Sequence, residues 1–195
     1  MCFSLQAITF TVCLLFLIDS NPLPGTLIPS TIESIFSNYI LPQVGHPVLR
    51  QVVARVPPEK ISSPAIQDVI QTLRKALIAK PGYGLAAPQL GINWQIAIIQ
   101  VTEQDILASG GGHVVDELGM EVVPLQVLIN PVITPIGKLK EIHREGCLSV
   151  EHFTANVARW KEVKVSALNE HGTPVSWIAR RWLARIVQHE YDFLF

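Results

Sequence analysis

Apolar residues first recur at helical spacing at Ile66, Val69, Ile70, Leu73 and Leu77, the three-and-four repeat that turns one face of a helix toward a core. Ser63 stands ahead of this run as an N-cap, and Pro64 takes the first helical position, where its missing N–H costs nothing. Lys80-Pro81-Gly82 ends it. The period then changes. Residues 95–101 (QIAIIQV), 125–129 (LQVLI) and 163–168 (VKVSAL) are short, apolar and rich in β-branched side chains, which predicts strands. Asn169-Glu170-His171-Gly172 is a turn signal that reverses the chain into a further strand over 173–178. From Trp182 the helical spacing returns at Trp182, Leu183, Ile186, Val187 and Tyr191. The pattern therefore predicts an α+β fold, with short, mixed or antiparallel strands packed around a central C-terminal helix. Residues 103–121, interrupted by Gly110-Gly111-Gly112, read as an irregular surface excursion between strands.

The first eighteen residues carry no charged side chain and run through Phe10-Thr11-Val12-Cys13-Leu14-Leu15-Phe16-Leu17-Ile18. Their length suits a secretory or anchoring segment better than a membrane span. No Lys or Arg precedes Arg50, so an Arg-rich organelle transit peptide is not visible. Residues 20–43, with Pro22, Pro24, Gly25 and Pro29, read as a linker. The division expected is a hydrophobic segment and linker over 1–43 and one catalytic domain over 44–195, short at its C-terminus.

Composition narrows the function. Hydrophobic residues make up 49% and charged residues 16% of the chain, which excludes disorder throughout. Fifteen Lys plus Arg against 16 Asp plus Glu give a net charge of −1. That balance offers no footprint for a DNA partner. Cys147 is the one cysteine inside the main domain, so no disulfide framework explains it.

Three polar segments in apolar surroundings are left to account for. Gly82-Tyr83-Gly84-Leu85-Ala86-Ala87-Pro88-Gln89 sets small residues around a single amide, where backbone and ligand can approach closely. Glu145-Gly146-Cys147-Leu148-Ser149 puts a glycine before the cysteine. Gln188-His189-Glu190 lies within the last helix, where a buried ionisable group needs partners.

Taken in order and with these separations, GYGLAAPQ, EGCLS and QHE resemble the three signature motifs of the peptide deformylases. The resemblance extends from Gly45-His46-Pro47 through Ile129-Asn130-Pro131 to the end, and is nearest to the organelle-type members. It implies a metal-dependent hydrolase that removes the N-formyl group from the N-terminal methionine of newly synthesised proteins, releasing formate. It implies Cys147 and His189 as ligands of one divalent ion, Fe2+ or Zn2+, and Glu190 as the acid/base. Gln89 and the backbone N–H of Leu148 become donors to the developing oxyanion, and Gly84 a point of close substrate approach. The implied partners are N-formylmethionyl nascent peptides and the ribosome. The implied location is the mitochondrion.

One position departs from the pattern. The family's last motif is HExxH, whose two histidines lie roughly 40° apart around the helix and about 6 Å along it, close enough to grip one ion. Here the sequence is His189-Glu190-Tyr191-Asp192-Phe193. An acidic residue at 192 is common in the family beside a normal second histidine, which argues against Asp192 as a stand-in. Two readings follow: a deformylase of uncertain activity, or a catalytically impaired member that binds formyl-peptides or the ribosome.

Overall fold

The computed structural model describes residues 41–195, apart from Pro81, Gly110 and Gly111 and the side chains of His113 and Val114. The N-terminal hydrophobic segment and most of the linker lie outside the described residues. Helix α1 (Pro64–Ala79) starts where its cap chemistry requires, with the Ser63 hydroxyl accepting from the backbone N–H of Ile66 at 3.5 Å. Ile66, Ile70, Leu73, Ala76 and Leu77 form its buried face.

Five strands make the main sheet: β1 (Gly84–Ala86), β2 (Ile96–Val101), β3 (Val123–Pro135), β6 (Glu162–Leu168) and β7 (Pro174–Arg180). They lie in the order β1-β2-β3-β6-β7, and every neighbouring pair is antiparallel. Strand β2 explains why its sequence is apolar nearly throughout. Ile96 and Ile98 join the core beneath α1, whereas Ile99 and Val101 join a second core beneath the last helix, so both faces of the strand are buried.

A separate two-stranded sheet, β4 (Lys140–Cys147) with β5 (Val150–Trp160), stands beside this sheet. Apolar alternation does not mark it. Exposure alternates strictly along β4, but the inward positions are Glu141, His143, Glu145 and Cys147, and charge takes the place that a core strand gives to Val or Ile. The excursion after β2 is also more ordered than its glycines suggest. It contains α2 (Glu103–Ala108) and α3 (Gly112–Leu118). Thr102 and Asp105 cap α2 reciprocally, while Arg181 donates to the carbonyls of Asp116 and Glu117 at the end of α3, a cation satisfying orphan carbonyls.

The chain closes with α4 (Arg181–Tyr191), which packs against β1, β2, β5 and β7. Ala184, Arg185, Ile186, Val187, Gln188 and Glu190 are all buried on it, so this helix is central. Gln188 anchors it by accepting from Trp160 N–H at 2.9 Å and donating to Trp160 C=O at 2.8 Å. The polar triplet of the last helix therefore begins with a structural clamp on β5.

Candidate functional site

Between β1, the β4–β5 sheet and α4 lies a cavity of about 510 Å³. Gly84, Gln89, Cys147, Leu148, His189 and Glu190, the six residues singled out by the motifs, all line it. Three remote stretches of sequence thus meet at one place.

Gln89 sits in a 3-10 turn (Ala87–Leu90) directly after β1. Its side-chain oxygen accepts from Ala86 N–H at 2.8 Å, which turns the amide nitrogen toward Ser149 Oγ at 3.3 Å and Cys147 Sγ at 3.9 Å. Cys147 ends β4, and its sulfur also accepts from Ser149 N–H at 3.4 Å. Before the site, Val44 N–H donates to Ser149 C=O at 2.7 Å, and Gln43 Nε2 donates to Leu148 C=O at 3.1 Å. Leu41 is buried. Residues 41–44 therefore brace the loop that follows the cysteine, a role that their linker-like composition conceals.

His189 points Nδ1 at Glu145 Oε2, 3.0 Å away, which leaves Nε2 for the cavity. Glu145 is the hub of a buried charge network. Arg159 approaches both of its oxygens at 3.0 Å, and Arg185 bonds Oε1 at 2.5 Å. Burial alone would raise the Glu145 carboxyl, but hydrogen bonds from His189 and Arg159, with the charge of Arg159 and a bond from Arg185, hold it down at about 2. Burial likewise pulls the His189 ring down, yet its bonds to Cys147 and Glu145 and the charge of Glu190 lift it to about 10. Arg185 escapes sequence reasoning, because an arginine among apolar helix positions reads as a surface residue. Its side chain is only 5% exposed.

Glu190 behaves oppositely to Glu145. It is 4% exposed, and its Oε2 is a buried oxygen without a hydrogen-bond partner among the described residues. Burial pushes its carboxyl up to about 7, against the pull of His189 and Arg159. Two carboxylates in one site are thereby driven apart, one ionised and one poised near neutrality.

Tyr83, Trp182 and Ile186 are among the apolar side chains that line the cavity. Tyr83 meets Trp182 edge-on with centroids 5.6 Å apart. Val187, one residue beyond Ile186, is buried in the core under α4 and does not line the cavity.

The donor set can be tested against a metal ion. Thiolate and imidazole suit zinc and other d-block cations, and a carboxylate on the far nitrogen is the usual support for a metal-bound histidine. A catalytic site of this kind takes three protein ligands. Among the described residues no group of three His, Cys, Asp or Glu side chains stands together so as to hold an ion. Asp192 is turned to Arg159, with Oδ2 2.5 Å from Nη1. At 193 stands a phenyl ring, edge-on to His189 with centroids 5.8 Å apart. The fit is therefore incomplete by one donor.

A family model described as polypeptide deformylase matches residues 39–195. The chain is 38% identical over 152 residues to the chloroplastic peptide deformylase 1A of Solanum lycopersicum, covering 78% of this chain and 54% of that protein. It is 36% identical to the mitochondrial peptide deformylase of Homo sapiens, covering 78% and 62%. The chain thus spans between half and two thirds of the length of these relatives. Among solved structures, the peptide deformylase of Synechococcus elongatus in complex with actinonin aligns with a TM-score of 0.63 and 34% identity, over 80% of this chain and 72% of that one. The Met-Ala-Ser bound class I type b enzyme of Acinetobacter baumannii aligns with a TM-score of 0.69 and 25% identity, over 80% and 91%. None of these comparisons supports a binding module without catalysis.

Proposed function

Because this chain belongs to the polypeptide deformylase family, whose members are metal-dependent, we propose that its cavity receives the N-formylmethionyl end of newly made polypeptides and that the reaction is hydrolysis of the formamide bond, releasing formate. The observation that carries this reading is Glu190. A buried carboxyl with a free oxygen lines a cavity beside Cys147, His189 and the Gln89 amide. Amide hydrolysis needs a proton carrier beside a polarised carbonyl, and such a carboxyl supplies one.

Each residue then has a task. The Gln89 amide nitrogen and the backbone N–H of Leu148 donate to the carbonyl oxygen as charge develops on it. Gln89 is suited to this because Ala86 fixes the orientation of its amide, and because a neutral donor needs no counter-ion. Glu190 accepts the proton of the attacking water and returns it to the departing amine. The apolar lining of Tyr83, Trp182 and Ile186 takes the methionine thioether chain. Glu145 holds the tautomer and direction of the His189 ring.

A divalent cation, Fe2+ or Zn2+ on donor chemistry, would supply the acidity that makes water nucleophilic near neutral pH, and Cys147 and His189 are the two residues suited to hold it. Those two donors are one short of the three that such a site takes. The organelle forms among the relatives support a mitochondrial location. A nascent-chain substrate implies work close to the ribosome.

The test is formate release from formyl-Met-Ala-Ser by the full chain after anaerobic loading with Fe2+. Glu190→Gln is expected to abolish turnover while leaving peptide binding in place. Absence of formate from the loaded protein and from a loaded Phe193→His variant alike overturns the proposal.

A further inference from the structure

We infer that Phe193 is the single residue that keeps this chain from retaining a cation: Cys147 and His189 hold a divalent ion only loosely, and exchanging one ring, Phe193→His, completes the site. The inference rests on the reading of Cys147 and His189 as the cation-holding pair. It concerns this chain's own departure from HExxH.

The argument is geometric. Two imidazoles bound tetrahedrally to one zinc, each with a nitrogen about 2.0–2.1 Å from the metal, have ring centroids roughly 5 Å apart. The rings of His189 and Phe193 are 5.8 Å apart, inclined at 64°. The separation of the two rings is thus within about 1 Å of that of such a pair, so an imidazole at 193 needs only a small shift to share an ion with His189. The phenyl ring has no lone pair to give.

The position is filled rather than vacant. Phe193 packs against the buried group of Val53, Ala86, Ala97 and Leu194, and its N–H donates to Glu190 C=O at 3.3 Å. The acidic neighbours have other engagements: Asp192 with Arg159, and Glu145 with Arg159, Arg185 and His189. Loss of an outer partner of a ligand typically weakens metal binding by about 10–100-fold. Loss of a direct ligand exceeds that.

The experiment uses the full chain and Co2+ alone as probe. Protein loaded with Co2+ is passed over a desalting column, and metal per chain is measured together with the thiolate-to-cobalt charge-transfer absorption. Wild type is expected to emerge with far less than one ion per chain. Phe193→His is expected to keep close to one, at an affinity at least ~100-fold higher, with the charge-transfer band present. Phe193→Ala, which removes the ring without adding a donor, is expected to match wild type. Three results overturn the inference: wild type that keeps one ion per chain, Phe193→Ala that binds as tightly as Phe193→His, or a Phe193→His protein with native far-UV circular dichroism that binds no better. The wild-type measurement decides by itself should Phe193→His fail to fold. Metal retention by Phe193→His, with no formate released by it or by the Fe2+-loaded wild type, would overturn the proposed function and leave this inference standing.

Discussion

A methyl group added to Gly84 would lie 2.5 Å from Oε1 of Glu190 and 2.8 Å from its Cγ and Cδ. The glycine is thus the seat of the glutamate as well as part of the cavity wall. Both flanking elements are fixed, Gly84 in β1 against β2 and Glu190 in a central helix, so the carboxylate itself must move if the glycine is filled. Gly84→Ala is expected to lower stability by about 1–3 kcal/mol, the usual range for overpacking. On the proposed reaction, and with Fe2+ kept in excess because the chain holds it loosely, it should also cut turnover by about 100-fold or more, the scale of a general acid/base contribution. Thermal unfolding and formate release check both. Turnover within a few-fold of wild type would show that Glu190 need not occupy that seat.

Gln89 carries a prediction of another kind, because one end of its amide is already committed. With Oε1 bound to Ala86 N–H, only the nitrogen faces Cys147 and Ser149. On the proposed reaction, Gln89→Ala removes a donor needed most when negative charge has formed on the substrate oxygen. The expected effect is a fall in kcat of about 10²–10³ with little change in KM. Ser149→Ala removes only an acceptor from the same amide and is expected to cost far less. Steady-state kinetics on formyl-Met-Ala-Ser separates them, and equal losses would assign Gln89 a purely structural part.

The contrast between β2 and β4 explains how far the sequence could be read. Strand β2 buries Ile96, Ile98, Ile99 and Val101, and helix α1 buries its three-and-four repeat. Hydrophobic periodicity therefore announces both. Strand β4 turns Glu141, His143, Glu145 and Cys147 inward, and what stabilises Glu145 among them is a charge network drawn from β5 and α4. No local pattern encodes such a network, since Arg159 and Arg185 are 14 and 40 residues from Glu145. The three motifs were legible because their residue types are unusual in their surroundings. Arg185 and Gln43 were not, because their partners are chosen by the fold.

The same network predicts acid sensitivity. The Glu145 carboxyl is held at about 2 in the folded protein against 4.5 ordinarily. A depressed carboxylate contributes stability that is complete above pH 4.5 and is lost as the pH falls toward 2. Glu145→Gln abolishes that contribution and leaves Arg185, 5% exposed, without its carboxylate, a loss of about 3–5 kcal/mol near neutrality. Urea unfolding of the metal-free protein is expected to show wild type converging on the variant between pH 4.5 and 2. Parallel curves across that interval would remove Glu145 as the source.

Substrate choice should rest on Trp182. Its ring meets Tyr83 edge-on at 5.6 Å, and Ile186, one helical turn further, lines the same cavity. Tyr83 is itself backed by the excursion: burial and the charge of Asp105, on α2, raise its phenol above the ordinary value. A wall made of two interlocked rings has a defined width, and truncating one of them widens the slot without touching Gln89 or Glu190. Trp182→Ala is expected to lower kcat/KM for formyl-methionyl peptides by about 10–200-fold, the range for lost apolar pocket contacts. Most of the change should appear in KM. The loss should be smaller for a formyl-phenylalanyl peptide, whose bulkier side chain can fill the vacated volume, so the preference between the two narrows or reverses. Competition between the two peptides in one reaction measures this directly. An equal loss on both would mean that the ring supports the fold of the site and does not select what enters it.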